Sequence, residues 1–184
     1  MIIGITGSFG AGKGAVVDYL KSKGFEHYSA SGFITEELVR RGMPVNRDSM
    51  IAVANELRAT HGPAYIVEAL YARANEKEGN AVIESLRAVA EVKRVKELGG
   101  LIIGIDADSR IRYDRAVARG SEKDHVDYNH WLLQERQENN PDDPTKQDIF
   151  NALRQSDYLV ENSGTLEELH TKLDEVFAKI RATE

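Results

Sequence analysis

The sequence contains no cysteine, which excludes disulfide bonds and thiolate metal sites. Its net charge is −6, from 24 basic and 30 acidic residues. A general nucleic-acid binder needs a basic surface to replace phosphate counterions, so this balance argues against that class. No apolar run approaches the roughly 20 residues of a membrane span. The five histidines form no pair at metal-binding helical spacing. These absences favour a small-molecule ligand.

The remaining composition is that of an ordinary globular domain. The chain has 184 residues, of which 41% are hydrophobic and 29% are charged, enough for one domain with a well-formed core. Met1 leads at once into an apolar run, and no signal peptide precedes it. We therefore expect a cytoplasmic protein with no membrane or nucleic-acid partner, and the sequence indicates no obligate protein partner.

The most informative stretch is the first nineteen residues. The β-branched run from Ile2 to Thr6 predicts a strand that is buried on both faces. The segment 7–13, GSFGAGK, then fits the phosphate-binding pattern G-x-x-x-x-G-K, and a helix is predicted from Ala15. Strand, loop and helix in this order form the context in which the pattern is meaningful, although a glycine-rich turn alone would also join a strand to a helix.

The residue types of this loop suit an anion. Three glycines allow backbone conformations that a Cβ would block, so that successive N–H groups point into one concavity. Lys13 follows at the helix start and supplies a mobile ammonium for the β- and γ-phosphates. The nucleotide-binding residues predicted here are Gly7, Ser8, Phe9, Gly10, Ala11, Gly12, Lys13, Gly14 and Ala15.

One position departs from the usual pattern. The Ser or Thr that normally follows the lysine and reaches Mg²⁺ is replaced by Gly14, and Ala15 also lacks a hydroxyl. Either Mg²⁺ is held through water and a carboxylate elsewhere, as this ion often prefers, or the metal site is weakened.

The rest of the chain alternates short apolar runs with helical periodicity. Further strands are predicted over 25–29, 80–84, 101–105 and 158–160. This alternation predicts an α/β fold, in which a five-stranded parallel sheet carries helices on both faces. We expect a single domain 1–184 with a core of 1–31, 79–119 and 156–184. The helical insertions are an acceptor-binding region, 32–78, and a lid, 120–155.

These features resemble those of the P-loop nucleoside monophosphate kinase family, in the branch that contains adenylate kinase, dephospho-coenzyme A kinase and small deoxynucleotide kinase-like proteins. The resemblance covers nearly the whole chain. It is carried by Gly7–Gly14, by ESLR at 84–87, by IDAD at 105–108 with the arginines that follow, and by DYLVENSG at 157–164. It implies a three-layer P-loop NTPase fold, and it implies ATP and Mg²⁺ as cofactors.

Phosphoryl transfer needs cations around the transferred group. Arg112, Arg115 and Arg119 recur at i, i+3 and i+7, which places them on one helix face, and they are lid arginines if that face closes over the loop. The alternative is a solvated basic face paired with nearby carboxylates. The catalytic candidates are Lys13, Arg87, Arg115 and Arg119.

Two residues at the end of the third strand are candidates for direct contact with the acceptor or the metal ion. Arg87 has a planar fork that suits an acceptor phosphate, although it could instead form a surface ion pair with Glu84 or Glu91. Glu84 is the metal candidate, acting directly or through water, and it could otherwise be a general base for an acceptor hydroxyl.

The acceptor side of the resemblance is incomplete. The family often has Asp and Arg soon after a Ser/Thr-Gly pair, and Ser31-Gly32 is followed by neither. Ser31 is also a candidate cap for the next helix. The available acceptor-binding arginines, besides Arg87, are Arg40, Arg47 and Arg58. Asn162 and Gly164 could lie beside the donor base.

The function that follows is ATP-dependent phosphoryl transfer to a small nucleotide, in the first place a (deoxy)nucleoside monophosphate. Two alternatives stay open: transfer to a ribose hydroxyl, as in dephospho-coenzyme A kinase, and a nucleotide-binding regulator with little activity. A switch GTPase is disfavoured because no Asn-Lys-x-Asp segment follows the fourth strand.

Overall fold

A computed structural model describes residues 1–77, 79–120 and 126–182, without the side chain of Arg47. The strands form one parallel sheet in the order β2-β3-β1-β4-β5. Their bounds are β1 Ile2–Gly7, β2 Glu26–Ser29, β3 Ala81–Leu86, β4 Leu101–Asp106 and β5 Tyr158–Glu161. The predicted α/β class is confirmed.

Helices cover both faces of this sheet. They are α1 Lys13–Ser22, α2 Ala30–Arg40, α3 Arg47–His61, α4 Tyr65–Asn75, α5 Val89–Glu97, α6 Ser109–Ala118, α7 Tyr128–Glu138, α8 Ile149–Arg154 and α9 Leu166–Arg181. Side chains alternate along each strand, so Ile2 packs with α2 to α5 on one face, while Ile3 and Ile5 pack with α1 and α9 on the other.

The topology fixes where a ligand can bind. From the central strand β1 the chain first builds β2 and β3 on one side and then β4 and β5 on the other. Ligands of open parallel sheets bind beyond the carboxyl ends of the strands at such a change of direction. In this protein that point is the carboxyl end of β1, which is followed directly by the glycine-rich loop.

Most predicted boundaries differ from the observed ones by one or two residues, and two of the differences lie at the ligand end of the sheet. Strand β3 continues two residues beyond Glu84, where the pairing with β1 shifts between Ile5 and Thr6 and Ser85 adopts a φ of 70°. Ser29 caps α2 by accepting a hydrogen bond from the Gly32 amide (3.1 Å), so the cap predicted at Ser31 is wrong. The early start of α2 turns Ala30 and Ser31 towards the ligand end of the sheet.

None of the described helices combines the length and the apolar character that crossing a membrane requires.

Candidate active site

The glycine-rich loop needs its glycines at two positions in particular. Gly10 and Gly12 have φ values of 79° and 94°, which side chains rarely adopt. A Cβ on Gly10 would lie 2.3 Å from the Arg112 carbonyl oxygen, and one on Gly12 would lie 2.3 Å from Nδ2 of Asn162. The loop is therefore folded tightly against the elements that follow β4 and β5.

The loop presents unpaired donors at the start of α1. Gly12 is the N-cap of α1 and provides no side-chain hydrogen bond for the first turn. The Ser8 side chain is 1% exposed, and its Oγ has no hydrogen-bond partner among the described residues. An orphaned hydroxyl next to free helix N–H groups fits an oxyanion such as a nucleotide phosphate.

Lys13 folds back into the loop. Its Nζ donates hydrogen bonds to the carbonyl oxygens of Gly7 (2.8 Å) and Ser8 (3.0 Å). Burial, and after it the positive charge of Arg87, lowers the pKa of Lys13 to about 7, while the negative charge of Glu84 opposes the shift. A polyanion in the loop would restore the ammonium form.

The segment after β5 holds the loop in place. Asn162 is buried, and its Nδ2 donates to the carbonyl oxygen of Ala11 (2.8 Å). Arg115 donates from Nη1 to the carbonyl oxygen of Asn162 (2.8 Å) and from Nη2 towards that of Gly164 (3.5 Å). The structure thus brings Arg115, Asn162 and Gly164 beside the loop, where Arg115 binds backbone carbonyl groups of the protein itself.

Arg112 occupies a different environment from that of a lid arginine. It is buried, donates to the carbonyl oxygens of Ala107 (3.0 Å) and Phe9 (3.2 Å), and forms an ion pair with Glu135 of α7. Its guanidinium also lies 5.2 Å from the ring centroid of Trp131. Arg112 therefore anchors α7 to the phosphate loop.

Arg119 reaches the site from the C-cap of α6. Its guanidinium carbon lies 5.2 Å from the centroid of the Phe9 ring, and the residue lines a cavity beside the loop. Arg87 also lines this cavity, and the positive charges of Arg87 and Arg119 both contribute to the lowered pKa of Lys13. Arg119 is thus the arginine of α6 that faces the space beside the loop.

This cavity has a volume of about 340 Å³ and lies between the phosphate loop, α2, α3 and the turn after β3. Its apolar lining comprises Phe9, Ala30, Ile34, Met50, Ile51 and Ala54. Its polar lining comprises Ser31, Asn55, Arg58, Ser85, Arg87, Arg119, Glu138 and Gln147. The result is a pocket with an apolar wall and a cationic end.

The predicted acceptor-binding arginines separate into two groups. Arg58 and Arg87 line the cavity, and Arg58 is 4% exposed because it pairs with Glu91 (Nη2 to Oε1, 2.8 Å). Arg40 does not line it: its side chain is 71% exposed and pairs with Glu37 on α2. The prediction for Arg40 therefore has no support in the geometry, because Arg40 lies on the solvent-exposed face of α2. The side chain of Arg47 lies outside the described part.

Glu84 lies at the carboxyl end of the sheet, as expected for a metal candidate. Its oxygens accept hydrogen bonds from Ser29 Oγ (2.7 Å) and Ser85 Oγ (2.9 Å), which fix its orientation. Among the described residues no three His, Asp or Glu side chains cluster as a metal cage. A single oriented carboxylate such as Glu84 is the kind of protein ligand that Mg²⁺ uses when it keeps several waters and binds through substrate phosphates.

Sequence reasoning missed several residues of the site. Gln147 and Glu138 come from the predicted lid, where Gln147 Nε2 donates to Glu138 Oε2 (3.3 Å), and Asn55 comes from α3. Their neighbours carry no motif, so no local signal marks them. Glu91 was noted only as a possible partner of Arg87, although a carboxylate three residues after a strand-to-helix turn is a recognisable helix-start signal.

Comparison with known proteins agrees with this geometry. A family model described as an AAA domain, AAA_18, matches residues 3–141. The chain belongs to the AAA_18 family. Similar proteins include a UPF0200 protein of Methanococcus maripaludis, 29% identical over 97% of each chain. A UPF0200 protein of Pyrococcus horikoshii is 27% identical over 98% of this chain and 97% of its own.

Solved structures share the fold of this AAA_18 member. TT1252 from Thermus thermophilus aligns over 97% of each chain with a TM-score of 0.64 and 22% identity. Shikimate kinase from Bacteroides thetaiotaomicron aligns over 97% of this chain and 98% of its own, with a TM-score of 0.62 and 13% identity. A gluconokinase from Sinorhizobium meliloti aligns over 97% of this chain and 91% of its own, with a TM-score of 0.55 and 14% identity. The predicted P-loop kinase fold is confirmed.

Proposed function

We propose that this protein transfers the γ-phosphoryl group of ATP to a small anionic acceptor. One observation carries the proposal: the phosphate loop and the cavity are contiguous, because Phe9 of the loop lines the cavity, and Arg119, which lies over the Phe9 ring, lines it as well. A donor in the loop and an acceptor in the cavity would meet where Lys13, Arg87 and Arg119 concentrate positive charge. Phosphoryl transfer requires mainly such positioning and charge stabilisation.

A nucleoside monophosphate is the acceptor that suits the cavity best. The apolar wall formed by Ile34, Met50 and Ala54 matches the face of a nucleobase, while a polyhydroxylated sugar acid would leave hydroxyl groups against it. Gln147 and Asn55 provide hydrogen-bonding groups for a base edge. Arg87 would bind the acceptor phosphate, for which its fork is well suited.

The roles of the protein groups follow from their positions. Lys13 would leave its two carbonyl partners to bind the phosphates of the donor, and Arg119 would stabilise the charge that develops during transfer. Mg²⁺, when bound, would neutralise phosphate charge, and Glu84 would hold it through water. An acceptor phosphate is already ionised, so this reaction needs no general base.

A second candidate is transfer to a hydroxyl group. Glu84 is held rigidly by Ser29 and Ser85 at the edge of the cavity, where a carboxylate could accept the proton of an acceptor hydroxyl. Two proteins of the same fold are named shikimate kinase and gluconokinase. This candidate makes Glu84 essential, whereas the nucleotide candidate does not.

The experiment is a survey of acceptors with purified protein and Mg-ATP. The panel contains ribo- and deoxyribonucleoside monophosphates, dephospho-coenzyme A, shikimate and gluconate, and product analysis separates diphosphates from new phosphomonoesters. We expect a nucleoside diphosphate from at least one monophosphate. A phosphomonoester product that disappears in Glu84→Gln would favour the second candidate, and ATP binding with no product would favour a regulator.

A further inference from the structure

A buried carboxylate lies directly behind the cationic end of the cavity. Glu91 is in the first turn of α5, and its side chain is 0% exposed. Nothing in the proposed transfer uses it, and burial of a lone carboxylate would be costly unless its oxygens were bound. The groups that bind these oxygens come from two separate parts of the acceptor site.

One oxygen of Glu91 holds Arg58. Oε1 accepts hydrogen bonds from Nε (2.9 Å) and Nη2 (2.8 Å) of Arg58, which crosses from α3. Among the described residues none accepts a hydrogen bond from Nη1 of Arg58, and Arg58 lines the cavity. The ion pair therefore turns one edge of the guanidinium inward and leaves Nη1 for a ligand.

The other oxygen of Glu91 holds the turn that carries Arg87. Oε2 accepts hydrogen bonds from the backbone amides of Arg87 (2.8 Å) and Ala88 (3.0 Å). The Arg87 carbonyl oxygen accepts from the Asp148 amide (2.8 Å), at the start of α8. The Arg87 peptide is thus fixed from both sides, so its side chain leaves the backbone at a defined point of the cavity wall.

We propose that Glu91 is a positioning residue for acceptor binding, because this one carboxylate orients the Arg58 guanidinium and fixes the Arg87 backbone. The inference rests on the proposed function and deepens it. Because Glu91 neutralises Arg58, Arg58 acts as a fixed hydrogen-bond donor to an acceptor oxygen. Arg87 and Arg119 then supply the positive charge that an anionic group requires.

The test uses Glu91→Gln, which keeps the shape but cannot satisfy four donors. The acceptor KM is expected to rise about 10- to 100-fold, because the groups that bind the acceptor are displaced. The KM for ATP should change less than about twofold. Glu68→Gln is the matched control. Glu68 of α4 also forms an ion pair with a residue of another helix, Arg94 of α5 (2.7 Å), but this pair lies at the surface and away from the cavity. A defect in general folding would instead lower the apparent kcat, because fewer molecules are active, and would leave both KM values unchanged.

A second variant covers the case in which Glu91→Gln does not fold. Replacing a buried ion pair by apolar residues of similar size often preserves stability, so Arg58→Met with Glu91→Met should remain folded at the cost of the two hydrogen bonds that Glu91 accepts from the turn amides. This double variant should bind the acceptor weakly and ATP normally. Unchanged acceptor binding in either folded variant would overturn the inference.

Amide hydrogen exchange in the ligand-free protein separates this inference from the proposed function. The Arg87 and Ala88 amides should exchange slowly in the wild type and faster in Glu91→Gln, whichever acceptor is used. If the wild type shows no transfer but this difference is present, the proposed function fails and the positioning of the turn stands. Equal exchange in the two proteins would contradict the positioning.

Discussion

Nδ2 of Asn162 donates a hydrogen bond to the carbonyl oxygen of Ala11 at 2.8 Å, and this contact joins the segment after β5 to the phosphate loop. A Cβ on Gly12 would collide with the same Nδ2. The donor site is thus shaped by a side chain that lies 151 residues further along the chain.

Replacement of Asn162 by Ala should therefore weaken nucleotide binding. The buried carbonyl group of Ala11 loses its partner, so the free energy of unfolding should fall by about 1–3 kcal/mol and the Kd for ATP should rise. Denaturant unfolding and calorimetric titration measure both. Ser163→Ala is the control, because the hydrogen bond that Ser163 Oγ accepts from the Asp108 amide (2.9 Å) is exposed to solvent. An equal loss in that variant would show that Asn162 has no special role.

Nucleotide binding should take up a proton at pH 8. Burial lowers the pKa of Lys13 to about 7, so in the ligand-free protein this amine is mainly neutral at pH 8. The phosphates of a bound nucleotide favour the ammonium form and so raise the pKa of Lys13. ATP itself takes up no proton at pH 8, because the last pKa of a phosphate group is about 6. Affinity for ATP should accordingly decrease as the pH rises above about 7.

Calorimetry in buffers of different ionisation enthalpy measures this uptake. The wild type should show a binding enthalpy that depends on the buffer at pH 8, and Lys13→Met should not. Lys21→Met, on the exposed end of the same helix α1, provides the control. Proton uptake that persists in Lys13→Met would assign it to another group.

Removal of Arg119 should slow transfer without weakening the binding of ATP. Arg119 lies over Phe9 at the junction of the loop and the cavity, and in the proposed reaction charge would develop at this point only in the transition state. Arg119→Ala should reduce kcat about 100-fold, with the Kd for ATP nearly unchanged. Arg110→Ala, at the exposed start of the same helix, should leave kcat unaltered. An effect confined to KM would place Arg119 in ground-state binding.

A hydroxyl after Lys13 should strengthen the use of Mg²⁺. A Cβ on Gly14 would meet nothing within 4 Å, so Gly14→Ser fits without rearrangement and should stabilise α1 by about 0.5 kcal/mol. The Mg²⁺ concentration for half-maximal activity should fall. Gly14→Ala separates the two effects, since it adds a Cβ without the oxygen, and an identical response in both variants would contradict a metal role at this position.

The fold and the donor half of the site could be predicted from the sequence because their signals are local. The run from Ile2 to Thr6, the loop that follows it and the apolar strands each depend on neighbours along the chain, and the structure confirms the sheet that they predict. The exceptions are boundaries such as the end of β3, where a bulge at Ser85 extends the strand beyond its apolar residues.

The acceptor half could not be predicted in the same way because it is assembled from distant segments. Arg58 and Arg40 have similar sequence environments on helices, yet one is buried against Glu91 and the other is solvated. Only the folded chain decides between them, because it brings Arg58 opposite Glu91 of α5. Gln147 likewise reaches the cavity through the path of a long connection that carries no motif.

The central claim is that the loop and the cavity serve one transfer reaction, and transfer of label from [γ-³²P]ATP tests it most directly. Incubation with the nucleoside monophosphate panel should yield a labelled nucleoside diphosphate with the wild type and almost none with Lys13→Met. Release of labelled inorganic phosphate alone, or no labelled product while ATP is bound, would contradict the claim.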